Sequence, residues 1–392
     1  MEKITSAAAL VDEFRSAIDS ELPSRWKALD EIMKRLGLDA ALFVGNSAVG
    51  PKSYGMFRYF TNHRVYYHLQ AFIARAGEAP TVICGTILHK KFFADKGFKD
   101  IRIGEAQLEN VINTLLEKPV GRLGVSFEML PAEWCERLMQ RMPATELVDI
   151  TDEVFELRLM RSKLEVEATR ISAQIADRGY EAVCAMIKPG VKLSDVHAEL
   201  DYVLKAAGAE ETFTLMSNGR FALKDNGLPC ITQFCWPDDR VIKRGDSVAM
   251  EITARYMGYW SQMVRTVSVG EENPDLKQLH EAQLKIISAT VPLLKPGATL
   301  GEVLTFMWEY SKELGYIPSL PFGHIVGLDL DEAGRSSITS DLELKENMTF
   351  VLHPTLLTPD IDFSIFWGQS YLVTEHGGEA LSAASHELLT IK

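Results

Sequence analysis

Apolar and polar positions alternate most regularly between Asp246 and Gly270, in DSVAMEITARYMGYWSQMVRTVSVG. Ser247–Thr253 sets small or polar residues against Val, Met and Ile with a period of two, and Gln262–Val269 is a second β-branched run. Together they predict two strands, with turn residues over Ala254–Gly258. Glu251 lies inside the first run, where an ionisable side chain needs a partner, a ligand or a raised pKa if it is buried. Two readings stand for it: a carboxylate held by Arg265 or a backbone donor, or a group kept for chemistry.

Towards the N-terminus the pattern changes. Residues 1–22 predict an arm with a short helix, and Ser24–Leu36 carries a helical apolar stripe with Ser24 as N-cap and Gly37 just past its end. Strand-like runs at Ala40–Val44, Ala71–Ala74, Thr81–Cys84, Ile101–Ile103, Leu123–Phe127 and Leu147–Ile150 follow. Helical periods at Leu108–Glu117 and Ala132–Arg141 separate some of them, which predicts a small α/β domain on a mainly parallel or mixed sheet. A charged helix over Ser162–Met186 comes next without a flexible linker, so the boundary near residue 155 reads as a tight junction.

The second half repeats itself. MIKPGVKLSDVHAELDYVLKAAGA (186–209) matches LLKPGATLGEVLTFMWEYSKELGY (293–316), so that Lys188-Pro189-Gly190 returns as Lys295-Pro296-Gly297, 107 residues on. Leu193 meets Leu300, Val196 meets Val303 and Gly208 meets Gly315 at the same offset. A repeated helix–KPG–helix unit with strands after each copy predicts a pseudo-two-fold domain.

Composition narrows the class. At 392 residues, 46% hydrophobic and 24% charged, the chain has the make-up of a globular protein with room for two domains. The net charge of −13 and the lack of a basic run argue against nucleic acid or an acidic membrane as partner. No leader-like segment opens the chain and no apolar run approaches the roughly 20 residues of a membrane span, so a cytoplasmic location is expected. The five cysteines, Cys84, Cys135, Cys184, Cys230 and Cys235, form no CxxC pair and read as reduced thiols.

The pattern GD-x4-E-I-x3-Y-x-G-Y-x5-RT-x3-G around Glu251, with PFGHIVGLDLDE at 321–332 and LELKENMTFVLHPT at 342–355, resembles the "pita-bread" enzymes, the family of aminopeptidase P, prolidase and creatinase. The resemblance implies an α+β fold: a creatinase-like N-terminal α/β domain over 1–155, then a pseudo-two-fold domain over 156–392 with a curved, mostly antiparallel sheet under helices. Metal-dependent members hold their ions with Asp, Asp, His, Glu and Glu. Carried over, these positions fall on Glu251, Gln262, His324, His353 and Gly368, the last beside Gln369. Three of four carboxylates are lost, which argues against a dinuclear centre, since hard divalent ions favour carboxylate-rich sets. A single metal on Glu251, His324 and His353 stays open, as does a catalytically inactive scaffold.

The site pattern is nearer to the metal-free branch, creatinase and ectoine hydrolase. AMEITA places Glu251 where the ectoine hydrolases carry their Glu; His324-x10-Arg335 resembles creatinase spacing, which implies that Arg335 binds a substrate carboxylate. YFTNHRVYYH (59–68) resembles the creatinase segment that reaches a neighbouring subunit, with Arg64 as the candidate and His63 beside it. The creatinase His before PDDR falls here on Phe234 or Cys235, and its Glu before the RT pair on Val264, so a third substrate is expected. Cys235 is a candidate contact or nucleophile, or an inert thiol. Tyr256, Tyr259 and Trp260 would line a pocket for a cationic group or simply pack. His353 would accept a hydrogen bond from Gln369 if it only fills the vacated ligand space.

The expectation is therefore a metal-independent hydrolase, without cofactor, that cleaves a C–N bond of an amidine, guanidine or amide. Its substrate is a small zwitterion bearing a carboxylate. Glu251 serves as nucleophile or general base and His324 and His353 as acid/base groups, with Gln262, Gln369, Tyr259, Trp260, Cys235, Arg335 and Arg64 around the substrate. A homodimer follows if Arg64 crosses subunits. The sequence leaves hydrolysis and elimination undecided, and a metal-dependent X-Pro peptidase or lyase is the alternative.

Overall fold

The structure, a computed structural model, describes residues 7–45, 55–65, 69–104, 107–219, 239–319, 322–332, 336–361 and 363–392. The chain divides into two compact units, Met1–Leu159 and Met160–Lys392.

In the first unit the order is α1 Ala7–Asp19, α2 Leu22–Leu36, β1 Ala40–Gly45, α3 Gly55–Thr61, β2 Gln70–Arg75, β3 Thr81–Cys84, α4 Leu88–Asp95, β4 Asp100–Ile103, α5 Gln107–Leu116, β5 Arg122–Val125, α6 Ala132–Arg141, β6 Glu146–Asp149 and α7 Thr151–Leu159. The strands form one mixed sheet, β4-β3-β2-β1-β5-β6. Connection length explains the mixture: β2 and β3 are joined by a short turn and run antiparallel, whereas α4 and α6 carry the chain across to parallel neighbours. α3 is buried on every side, so GMFRYFT shows no helical stripe to a sequence reader. Ser24 is not the N-cap of α2. The helix opens one turn earlier at Leu22-Pro23, where proline's missing N–H costs nothing, and the Ser24 hydroxyl donates to Glu21 O at 2.7 Å.

The second unit runs α8 Lys163–Met186, α9 Leu193–Ala206, β7 Glu211–Thr212, β8 Leu215–Gly219, β9 Ser247–Tyr256, β10 Tyr259–Val269, α10 Pro274–Thr290, α11 Leu300–Glu313, β11 Ile317–Ser319, β12 Gly323–Ile325, β13 Thr349–Leu352, β14 Thr355–Leu357, β15 Ser364–Phe366, β16 Gly368–Thr374, β17 Gly377–Ala380 and β18 Thr390–Ile391. Ser162 and Glu165 close a reciprocal capping box on α8. Nine strands make one sheet whose main path is β12-β13-β16-β10-β9-β7; all pairs are antiparallel except β10 with β18. β11, β14 and β15 form a separate three-stranded sheet.

The internal repeat is visible in the backbone. Gly190 and Gly297, at φ 93° and 91°, turn into α9 and α11. Lys192 and Thr299, which precede those helices, each make one isolated antiparallel bridge, to Val241 and to Glu343. The trios β8-β9-β10 and β12-β13-β16 then meet at a β10/β16 seam. Behind one half of the sheet, α8 and α9 bury Val183, Leu200 and Leu204 against Met250, Ile252 and Met263. A Cβ on Gly179 of α8 would lie 2.7 Å from Leu200 and 2.8 Å from Leu204, so glycine sets how closely α9 packs. No helix among the described residues is long and apolar enough to cross a membrane. Cys84, Cys135 and Cys184 are free thiols; Cys230 and Cys235 lie outside the described residues.

Candidate active site

The β9/β10 hairpin turns on two residues, Met257 at φ 49° and Gly258 at φ 99°. Two positive φ values in a row make the tight turn that matches strand twist, and glycine bears the second without strain. The turn is thus shorter than the sequence suggests, because Ala254–Tyr256 stay in the strand. Register follows from it: Tyr256 faces Tyr259, Thr253 faces Gln262 and Glu251 faces Val264. Val248, Met250, Ile252 and Ala254 enter the core beneath α8 and α9. Alternation therefore puts Glu251 and Thr253, with Gln262 and Val264 opposite, on the other face.

Arg265 points the other way. It donates to Val264 O at 2.9 Å, Gly368 O at 2.7 Å and Gln369 Oε1 at 2.6 Å, so it does not neutralise Glu251. Among the described residues Glu251 has neither a hydrogen bond nor an ion pair. Burial alone pushes its carboxyl up to about 7.

His324 on β12 reaches Gln262 on β10, Nε2 to Oε1 at 2.7 Å. Two strands lie between them, and a flat sheet would hold their backbones roughly 14 Å apart. The sheet curls towards this face. His353 follows β13, fixed by its own N–H to Phe322 O at 2.8 Å and by the Gln283 amide on Pro354 O. Its ring lies 5.2 Å from that of His324 and edge-on to Phe366 at 5.1 Å. Burial lowers both imidazoles; His353, with His324 beside it, falls to about 3. Both rings are neutral near pH 7, and Nδ1 of His353 has no partner among the described residues.

At Gly368, where the resemblance places the last ligand, there is no room for a side chain. A Cβ there would sit 2.2 Å from Leu352 O and 2.5 Å from both Cα and Cβ of His353, so the backbone at 353 fills the space a side chain would need. Gln369 faces the other side of the sheet. It accepts from Arg265 and donates to Nε2 of His386 at 3.3 Å, not to His353 as the sequence suggested.

Each aromatic candidate is engaged by other side chains of the second unit. The Tyr259 hydroxyl donates to Glu165 of α8, on the helix side. Trp260 lies among Val326, Leu330 and Val351, and Arg255 covers its ring at 5.0 Å. That arginine is in turn held by Glu211 Oε2 and Leu328 O, both at 2.7 Å, so the protein supplies its own cation to this indole. His63 is a core residue of the first unit, its ring 5.0 Å from His89 and from Phe93. Arg64 is half-buried there. Arg335 and Cys235 lie outside the described residues. Thr253 was missed: its hydroxyl is buried, without a partner among the described residues, directly across from Gln262. The two-residue alternation that exposes Glu251 to this face would have found it.

All five positions of the expected ligand set are described, and the donors do not fit a metal centre. One carboxylate, one amide, two neutral imidazoles and a glycine replace an acid-rich set. Among the described residues no three His, Cys, Asp or Glu side chains converge on one ion, which also speaks against the Glu251–His324–His353 triad.

The profile of metallopeptidase family M24 matches residues 167–375, and that of the creatinase/prolidase N-terminal domain matches 25–160. A Xaa-Pro dipeptidase of Pyrococcus furiosus is 30% identical over 260 residues, 65% of this chain and 72% of that one. An uncharacterised hydrolase/peptidase of Sinorhizobium fredii is 29% identical over 329 residues, 82% of each chain. Among solved structures, the prolidase of Pyrococcus horikoshii superposes with a TM-score of 0.81 at 24% identity, covering 93% of this chain and 100% of that one. The X-Pro aminopeptidase of Thermotoga maritima gives 0.80 at 20% identity, covering 93% and 99%. These two likenesses establish the shared fold.

Proposed function

The chain belongs to metallopeptidase family M24, a hydrolase of that family with a creatinase/prolidase N-terminal domain, and from that premise we propose that it cleaves a C–N bond through side chains rather than a metal. The observation that carries this reading is Glu251, a buried carboxyl without a partner among the described residues, whose pKa is raised to about 7. A group poised at the working pH is suited to give and take a proton. Ionised Glu251 takes a proton from water as the water oxygen bonds to the amide or amidine carbon. The acid so formed returns the proton to the leaving nitrogen as the C–N bond breaks.

The expected roles of the histidines change with their lowered pKa values. Neutral rings near pH 7 do not bring a proton to the reaction; they orient groups and donate hydrogen bonds to charge developing on the reacting carbon's substituent. His353, whose Nδ1 has no partner among the described residues, suits the second task, and Gln262 holds His324. The substrate is a small amide- or amidine-bearing carboxylate, with Arg335, and Arg64 of a second subunit in a homodimer, as its anchors.

A metal-dependent dipeptidase is the second reading, favoured by the Pyrococcus furiosus relative named as a Xaa-Pro dipeptidase. Elemental analysis of protein purified without chelator, joined to assays on X-Pro dipeptides and on small guanidino, amidino and N-acyl amino acids, tests both. Near-zero metal with turnover that is lost in Glu251→Gln supports the side-chain route. About one equivalent of metal, with activity removed by chelator and restored by the ion, overturns it. Turnover of no substrate by a metal-free protein favours an inactive scaffold.

A further inference from the structure

Behind the candidate site, the β10/β16 ladder is short. It pairs only Met263 with Gln369 and Val264 with Gly368, whereas β9 and β10 pair along their whole length. Where the ladder stops, side chains take over. Thr266 Oγ1 donates to Phe366 O at 3.1 Å, and Arg265 donates from one nitrogen to both carbonyls of the last pair, Val264 O and Gly368 O. Its second terminal nitrogen binds Gln369 Oε1, its Nε binds Ser385 O at 3.3 Å, and its flat face lies on Trp367 at 4.4 Å.

This guanidinium is almost wholly buried, and among the described residues it forms no ion pair. A buried charge touched directly only by carbonyls, an amide and a π face, with Asp177 acting on it through space, is costly to keep. Its fork is what the seam needs: several donors in one plane, which an ammonium cannot present in the same geometry. The two backbone carbonyls it joins belong to the residues beside the site. Val264 is the cross-strand partner of Glu251, and Gly368 is the residue pressed against His353.

We propose that Arg265 is a positioning residue for the candidate active site, locking the end of the β10/β16 seam so that Gly368 stays against His353 and Gln262 stays within reach of His324. It acts from the opposite face, through backbone, and touches no substrate. The proposal rests on the site as read above for its importance, but its geometry does not depend on which reaction the site performs.

The test reads that geometry directly. Protein with isotope-labelled histidine rings gives ring signals for His324 and His353, assigned by their loss in His324→Gln and His353→Gln. Wild type is compared with Arg265→Lys and Arg265→Met, and with Leu200→Ala as a control for general loosening of the α9 core. Both His signals are expected to shift in the Arg265 variants and to stay in place in Leu200→Ala even though its Tm falls. Unshifted signals in a folded Arg265 variant, or equal shifts in Leu200→Ala, overturn the proposal. Should neither Arg265 variant fold, Gln369→Ala keeps the arginine and removes one acceptor. A shift of His353 there supports the proposal and an unmoved ring overturns it. A metal-dependent activity, or none, would sink the functional reading and leave this result intact.

Discussion

Gln262 and His324 hydrogen-bond at 2.7 Å although two strands separate β10 from β12. Nε2 of His324 is engaged by the Gln262 amide and Nδ1 faces Ile325 O at 3.4 Å, so neither ring nitrogen points into open space. The resemblance assigns ligand roles to these two positions; here they bind each other.

That contact makes a prediction about charge. Burial lowers the pKa of His324, and a neutral amide does little to oppose it. Gln262→Glu places an acid at the same distance, and an opposite charge so near favours imidazolium. The pKa of His324, followed by NMR titration of its ring, is expected to rise in Gln262→Glu and to change little in Gln262→Met. No rise in the Glu variant would mean the two side chains do not meet in solution.

Glu251 should mark the stability curve. Its folded pKa of about 7 lies above the ordinary 4.5, so the folded state holds a proton that the unfolded chain releases. Stability from this group is full below pH 4.5, falls as pH rises to 7 and is flat beyond, a loss of about 3 kcal/mol. Glu251→Gln cannot ionise and escapes the loss. Its Tm relative to wild type should climb from pH 4.5 to pH 7 in thermal melts, while turnover of any substrate disappears. A Tm difference independent of pH would place the carboxyl in water or beside a cation.

His353 should act in the opposite sense. Its folded pKa of about 3 lies below the ordinary 6.5, so between those values the unfolded state binds the extra proton. Stability is kept above pH 6.5 and lost on acidification, by about 1.4 kcal/mol per pH unit across the window. His63, lowered to the same value, adds a second such slope. His353→Gln should therefore lessen the acid loss of urea-unfolding stability between pH 6.5 and 4.5 by about 1.4 kcal/mol per pH unit relative to wild type, on a background where His63 and Glu251 act in opposite senses. An unchanged slope would show that His353 is hydrated in the native protein.

Some of this was legible in the sequence and some was not, for a physical reason. Period-two alternation around Glu251 and the repeat at Lys188 and Lys295 are local patterns, and they gave the central hairpin and the two-fold plan. Side-chain partners are set by register and by what packs behind the sheet. Arg265 and Gln369 both lie one residue from a site position, which in a strand means the opposite face. Tyr259 likewise looked like a pocket residue until α8 supplied Glu165 behind it. The short buried helix α3 left no stripe, because a helix apolar on all sides has no polar face to reveal its period.

Gly368 offers the sharpest test of why the ligand set was lost. Its φ is not among the left-handed ones, so alanine would be conformationally acceptable there. The obstacle is space: Leu352 O and the Cα of His353 are backbone atoms, and both lie within 2.5 Å of a new Cβ. Trimming the imidazole does not move them. Gly368→Ala should lower stability by about 1–3 kcal/mol or more, as overpacking of a close-packed interior does, and the double variant Gly368→Ala/His353→Ala should show no recovery in denaturant melts. Recovery in the double variant would put the conflict in the His353 ring, and restoring an acid at 368 would then need only a smaller neighbour. Without recovery, a carboxylate at 368 requires the β13/β16 backbone to move apart, whatever stands at 353.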